Sequence, residues 1–314
     1  MYHRTEDWMK FLPDVITQRS LTEICMPMSH DSASYKLDIS NPIITEDTRY
    51  LYLSYLLKIS KSAFKFVESW LLCQEHSIYK QLELGIRVLD LRVAFNGHDF
   101  WLVHSLSLLR LSLALEDIRK FIETHPSEVV VIKIKPGWEQ RDTMNTETPR
   151  LESEIVSILG NHNLISPMSE MPTLAQCQRP GSPRILVIYG DAPTKYTWSE
   201  DVIEKIGGLT NDIDELKENI KFNKKIYKMT NIFREISFTL TPSREDIKKS
   251  FFRRLTFKNP ATIPSLRKFA EKTNTLLVHQ LKHNKQIFSK FSFISMDYIT
   301  QEAIMSIILL NYWE

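Results

Sequence analysis

What most restricts the fold of this chain is a series of short apolar runs that lack polar alternation. They read LTEICMPMS (21–29), GIRVLDLRVAF (85–95), DFWLVHSL (99–106), EVVVIKIK (128–135), RILVIYGD (184–191), EISFTLTP (235–242) and FSFISMDYI (291–299). A strand with one wet face alternates apolar and polar side chains; a strand covered on both faces does not. These runs therefore predict strands buried on both sides. Between them lie segments with helical spacing. ALEDIRKFIETHP (114–126) stops before Pro126, and TPRLESEIVSILGNH (148–162) sets Leu151, Ile155 and Leu159 on one stripe. Segments 213–222, 243–255, 263–273 and 300–310 also read as helices. Strand–helix alternation at this length predicts a parallel α/β barrel with its helices outside. An open doubly wound sheet has the same pattern, and periodicity alone does not choose between them.

The 314 residues would hold two average domains. Yet the chain has only 8 glycines, and no Pro/Gly/Ser-rich linker or charge run divides it, so one domain over 1–314 is expected. A net charge of +2 is too balanced to attract nucleic acid by bulk charge. The three cysteines, Cys25, Cys73 and Cys177, are odd in number and widely spaced, which argues against a disulfide framework or zinc knuckle. The first residues, MYHRTEDWMKFLPD, carry acids early and have no apolar stretch of signal-peptide type. No Asn-x-Ser/Thr sequon occurs. These features together predict the reducing cytoplasm. No window has the apolar length of a membrane span; the nearest, 51–73, is broken by Lys58, Lys61, Lys65 and Glu68.

In a parallel barrel the catalytic side chains stand where strands end at their C-termini. Here those ends carry Ser29-His30-Asp31-Ser32, then Asp90-Leu91-Arg92, His104, Lys133-Ile134-Lys135 and Asp297. One imidazole can accept a hydroxyl proton while a second protonates a leaving alkoxide, and both titrate near neutrality. An arginine offers fixed donors to phosphate oxygens, and a carboxylate behind a histidine fixes its tautomer. Singly each residue has a plain structural reading. A lone histidine usually packs or faces water, Asp90 and Arg92 could be a buried pair, and Lys133 and Lys135 share one strand face that could be solvated. Together, at successive strand ends, they suit phosphodiester cleavage.

At these residues the chain resembles the X domain of phosphatidylinositol-specific phospholipase C. It is most similar to the small stand-alone X-domain-containing proteins of eukaryotes and, further off, to the secreted bacterial enzymes. The matching stretches are WMKFLPD (8–14), MPMSHDS (26–32), QEHSIYKQLELGIRVLDLRV (74–93), VHSL (103–106), FIETHPSEVVVIKIK (121–135), FTLTP (238–242) and ISMDYI (294–299), in order over nearly the whole chain. The resemblance implies a single, somewhat irregular eight-stranded (β/α)8 TIM-type barrel. It implies His30 as the general base on the inositol 2-hydroxyl, His104 as the general acid on the diacylglycerol oxygen, and Arg92 as the stabiliser of the pentacoordinate phosphorus. Asp31 and Asp297 match carboxylates that orient the histidines, and Asp90 belongs to the same cluster. Lys135 matches a lysine facing the inositol, with Lys133 as the fallback. The substrate would be an inositol phospholipid at a membrane surface and the product an inositol 1,2-cyclic phosphate. Calcium-dependent relatives place an acidic ligand where Arg92 stands, so neither metal nor cofactor is expected.

Three features depart from the family. Ser105 replaces the glycine that often follows the second histidine, and Pro27-Met28-Ser29 lacks the glycine of the usual turn. An arginine that recognises inositol in the bacterial enzymes has no counterpart in IYGD (188–191), where Asp191 could contact hydroxyls instead. Segment Leu51–Leu71 splits into an apolar face and a lysine-bearing face; it can rest on an anionic membrane or pack on the barrel. The same choice applies to Lys248, Lys249, Arg253 and Arg254. Two other readings stay open: a catalytically weak barrel that binds phosphoinositide head groups, and a phosphodiesterase for another phospholipid.

Overall fold

The computed structural model describes residues 4–42, 44, 58, 60–137, 140–206, 210, 212–222, 231–256 and 264–313. Ten strands form one sheet: β1 (Met26–Ser29), β2 (Val88–Phe95), β3 (Phe100–His104), β4 (Leu106–Arg110), β5 (Val130–Pro136), β6 (Ile185–Ile188), β7 (Thr197–Trp198), β8 (Ile203–Ile206), β9 (Phe233–Phe238) and β10 (Phe293–Met296). Eight of them, all but β3 and β4, pair in parallel in their chain order, and β10 returns to pair with β1. The sheet thus curls into an irregular α/β barrel. Its seam lies between β7 and β8, which share no ladder among the described residues. The hairpin of β3 and β4 hangs antiparallel from β2.

The helices cover the outside as their apolar spacing requires. Leu111–Thr124 buries Leu111, Ala114, Leu115, Ile118, Phe121 and Ile122, a stripe with steps of one, three and four residues. Thr148–Leu159 buries Leu151, Ile155 and Leu159. Leu266–His283 and Gln301–Ile308 pack against each other beside β10. One contiguous apolar core joins residues from Trp8 to Leu310.

Where β2 and β5 start, the base of the barrel holds a wholly buried ion pair. Arg87 Nη2 lies 2.7 Å from Glu128 Oε2. Every remaining direction is filled: the guanidinium also donates to the carbonyls of Leu82, Ile86 and Glu6 and lies over the rings of Trp8 and Phe121. The carboxylate accepts from the amides of Met9 and Lys10, so the N-terminal turn is tied to the barrel floor.

Some elements differ from the sequence-based expectation. The front of run 21–29 is a 3-10 turn, Leu21–Glu23, because Ser20 and Glu23 form a capping box. Run 99–106 is not one strand; it folds over at Ser105 into the hairpin. The last part of the basic amphipathic segment forms the helix Lys61–Leu71, while residues 51–57 and 59 lie outside the described residues, as does the Arg254 side chain. None of the three cysteines is in a disulfide, and all are buried. Among the described residues no helix is long and apolar enough to cross a membrane.

Candidate active site

β1 and β10 end side by side, with Ser29 opposite Met296, so His30 and Asp297 are the next residue on each strand. The His30 amide donates to the Met296 carbonyl at 3.1 Å. Its ring Nδ1–H donates to Asp297 Oδ1 at 2.8 Å, which leaves Nε2 facing the pocket. The turn that follows is pinned from three sides. Ser32 exchanges two hydrogen bonds with the Asp90 backbone, the Gln74 amide donates to the His30 carbonyl, and the Gln81 amide donates to the Ser32 carbonyl. Asp31 sits in this turn with φ of 41°, a left-handed conformation that aspartate tolerates better than most residues.

Asp31 is the centre of the site. Its side chain is buried, with Oδ1 2.5 Å from Arg92 Nε. Oδ2 lies 3.5 Å from Nε2 of His30 and 3.5 Å from Nε2 of His104. The two Nε2 atoms are therefore at most about 7 Å apart. Arg92 Nη2 lies 3.5 Å from His30 Nε2.

The expected route of His104 into the pocket needs correcting. Its strand is not a parallel barrel strand but β3, which runs back antiparallel to β2 and delivers the imidazole from above. His104 Nδ1–H donates at 2.6 Å to the carbonyl of Leu71, the last residue of the helix Lys61–Leu71. Nε2 is thus its working nitrogen too. The residue after it, Ser105, has φ of 63°, so this position requires the left-handed conformation that glycine adopts freely.

The two lysines part company. In the β2/β5 register Arg92 lies opposite Lys135, and Asp90 opposite Lys133. Lys135 Nζ lies 3.2 Å from buried Asp90 Oδ1 and keeps 24% of its side chain exposed. Lys133 is fully buried and forms an ion pair with Glu235 of β9 across the barrel interior. As a substrate contact Lys133 is therefore a poor candidate: its three donors face the inside of the barrel, not the mouth. Asp191 lies exposed in the loop after β6, and its carboxylate shares no hydrogen bond or ion pair with the cluster among the described residues.

The charges explain the titration. Four carboxylates, Asp31, Asp90, Glu235 and Asp297, face three permanent cations, Arg92, Lys133 and Lys135. A proton on His30 balances the set. Burial alone would lower the His30 pKa, but Asp31 and then Asp297 outweigh it and raise the value to about 9. Burial would raise the Asp31 and Asp90 carboxyls. His30, His104 and Arg92 hold Asp31 below the usual range, and the two lysines hold Asp90 well below it. Burial pulls Lys133 down, only partly offset by Asp90 and Glu235, whereas Asp90 overcomes burial and lifts Lys135.

Glu235, Gln74, Cys73 and the Leu71 carbonyl carried no role in the sequence reading. Gln74 lies within a matched stretch, and Glu235 opens a strand run with a polar residue facing inward, the one local signal of its pairing. Cys73 Sγ lies 3.8 Å from His104 Nδ1. Among the described residues, the one group able to offer three metal donors is His30, Asp31 and Cys73, with Arg92 already against the carboxylate.

No family model matches the chain. It is 33% identical over 135 residues to the PI-PLC X domain-containing protein 3 of Danio rerio, covering 41% of each chain. It is 30% identical over 193 residues to the PI-PLC X domain-containing protein 1 of Danio rerio, covering 59% of this chain and 60% of the relative. The matched segments thus span less than two thirds of these relatives. The phosphatidylinositol-specific phospholipase C from Listeria monocytogenes superposes with a TM-score of 0.64 over 98% of both chains, at 18% identity, and shares the fold. By sequence the chain is similar over part of its length to the PI-PLC X domain-containing proteins, and it is built on the irregular barrel that the resemblance implied.

Proposed function

We propose that the chain is a single catalytic barrel that cleaves inositol phospholipids without a metal ion. The observation that carries this reading is the pair of Nε2 atoms set at equal distance about Asp31, with Arg92 beside them. Neutral His30 keeps its lone pair on Nε2 and takes the proton of the inositol 2-hydroxyl. The freed oxygen attacks phosphorus in the same molecule, and the bond from phosphorus to the diacylglycerol oxygen breaks. His104, protonated on both nitrogens, gives its Nε2 proton to that oxygen. One proton thus moves from the nucleophile side to the leaving group, and the products are diacylglycerol and an inositol cyclic phosphate. Arg92 donates to the phosphoryl oxygens as charge grows on them. Lys135 and Asp191 are assigned to the inositol hydroxyls. The substrate class requires the barrel mouth to work at a membrane surface, and three buried cysteines outside any disulfide suit a reducing compartment.

One observation favours a second reading. With His30 charged near neutrality, the free pocket presents an imidazolium, Arg92 and Lys135, an arrangement that binds a head-group phosphate more readily than it turns it over. The test is to incubate the purified protein with labelled phosphatidylinositol vesicles in EDTA, beside His30→Ala and His104→Ala. Cyclic inositol phosphate from the wild type and from neither variant supports the enzyme. Vesicle binding with no product at any pH replaces it with the head-group binder. A strict need for calcium would remove the role given to Arg92.

A further inference from the structure

We infer that the pocket floor also binds a thiophilic divalent cation of the zinc class, through His30, Asp31 and Cys73, and that occupancy switches the site off. Switching off rests on the reading of His30 as the base; binding does not.

Three observations lead there. One donor atom from each of the three residues lies within 4.8 Å of the others. Zinc bonds of about 2.0–2.3 Å place tetrahedral ligand atoms about 3.3–3.7 Å apart, so closure asks for movement of about an ångström. Second, Asp31 Oδ1 is held by the ion pair with Arg92, but Oδ2 is buried without a hydrogen bond, although buried carboxylates are almost always satisfied. Third, Asp297 already holds the Nδ1–H of His30, the carboxylate–imidazole arrangement that orients metal-binding histidines and leaves Nε2 for the ion.

The donor set also selects the ion. Calcium and magnesium seek six or more oxygens, and this pocket offers one carboxylate. A thiolate, an imidazole and a carboxylate suit zinc, with water in the fourth position. Arg92 opposes any cation here, but its side chain is 31% exposed and can turn outward. On binding, the Cys73 S–H bond gives its proton to solvent as sulfur bonds the metal, and the Nε2 lone pair is taken from the 2-hydroxyl proton.

Cobalt(II) titration of the full chain tests this, because thiolate–cobalt charge transfer reports the sulfur directly. Expected are a charge-transfer band in the wild type, its displacement by zinc, and at least tenfold weaker binding in Cys73→Ser and in Asp31→Asn. If Cys73→Ser does not fold, the Cys25→Ser/Cys177→Ser variant must keep the band. The exposed pair His279 and His283, one helical turn apart with ring centroids at 4.5 Å, could take cobalt too but would give no sulfur band. No band at saturating cobalt, or a band unchanged in Cys73→Ser, overturns the proposal. Zinc should also inhibit phosphatidylinositol cleavage, with EDTA restoring it. Cobalt bound with the sulfur band in a protein that never cleaves the lipid leaves this site standing and removes the phosphodiesterase.

Discussion

The pH dependence of turnover is the sharpest consequence of the charge arrangement. The base must be neutral to accept a proton, yet Asp31 and Asp297 hold His30 protonated up to a pKa of about 9. At pH 7 only about 1% of the free protein then has a neutral His30, which holds kcat/KM to about a hundredth of what a fully neutral base would give. It should climb about tenfold per pH unit only for as long as His104 keeps the proton it must donate and fall once that proton is lost, so the titration of His30 itself, read near 9 by proton NMR, isolates the base. The assay is release of cyclic inositol phosphate from phosphatidylinositol in mixed micelles, followed by phosphorus NMR between pH 5.5 and 10. Asp31→Asn removes the strongest of the attracting charges, so the His30 titration must move toward the ordinary imidazole value of about 6.5, with slower turnover because Arg92 loses its partner. The same shift acts on folding. A raised folded-state pKa stabilises fully below the unfolded value, and that contribution is lost as pH rises through 9, so stability should decline between about pH 6.5 and 9. A wild-type His30 titration at about 6.5, or one that Asp31→Asn leaves in place, would refute the charge balance.

Three further outcomes follow from single residues. Asp297→Asn should lower kcat by roughly 10³–10⁴, by the logic of hydrolytic triads, because the amide no longer enforces the tautomer with its proton on Nδ1; a loss under tenfold would show that Asp297 does not orient the base. Ser105→Gly relieves a left-handed φ of 63°, so it should stabilise the fold by about 0.5 kcal/mol in urea melts once the greater unfolded-state freedom of glycine is subtracted. Glu128→Ala leaves the Arg87 guanidinium buried and uncompensated and should cost about 3–5 kcal/mol, read from the same melts, without entering the chemistry.

The sequence disclosed the parallel strands best where both faces are covered. Val130–Ile134 and Ile185–Ile188 are unbroken apolar runs and are central strands. It hid β7 and β8, the two strands at the seam. β7 is two residues long, and β8, IEKI, carries exposed charges because each seam strand pairs on one side only. It also ran β3 on through Ser105 to Leu106 and left the rest of β4 unread, since the break is made by Ser105 alone. A serine at positive φ leaves no mark in the apolar pattern, whereas a glycine there would have signalled the turn.

The site was legible in residue type but not in arrangement. His30 and Asp297 meet because β1 and β10 end together and present their next residues together, whereas Arg92 comes from within β2, three residues beyond Leu89, the partner of Ser29. His104 obeys a different rule, because it reaches the pocket down an antiparallel hairpin and is aligned by a helix-terminal carbonyl rather than by a carboxylate. The two histidines are therefore unequal before any substrate arrives. His30 hangs on Asp297, a charged acceptor that favours its imidazolium, and His104 hangs on the uncharged Leu71 oxygen. Only Asp31 lies between both Nε2 atoms. A phosphodiester that enters there brings its own negative charge into the same space, so substrate and Asp31 compete for Arg92 and for both imidazoles. Replacing Asp31 should consequently weaken turnover while strengthening ground-state binding of the anion. Measured as KM against kcat, Asp31→Asn should lower both, and a raised KM would place Asp31 outside the contest.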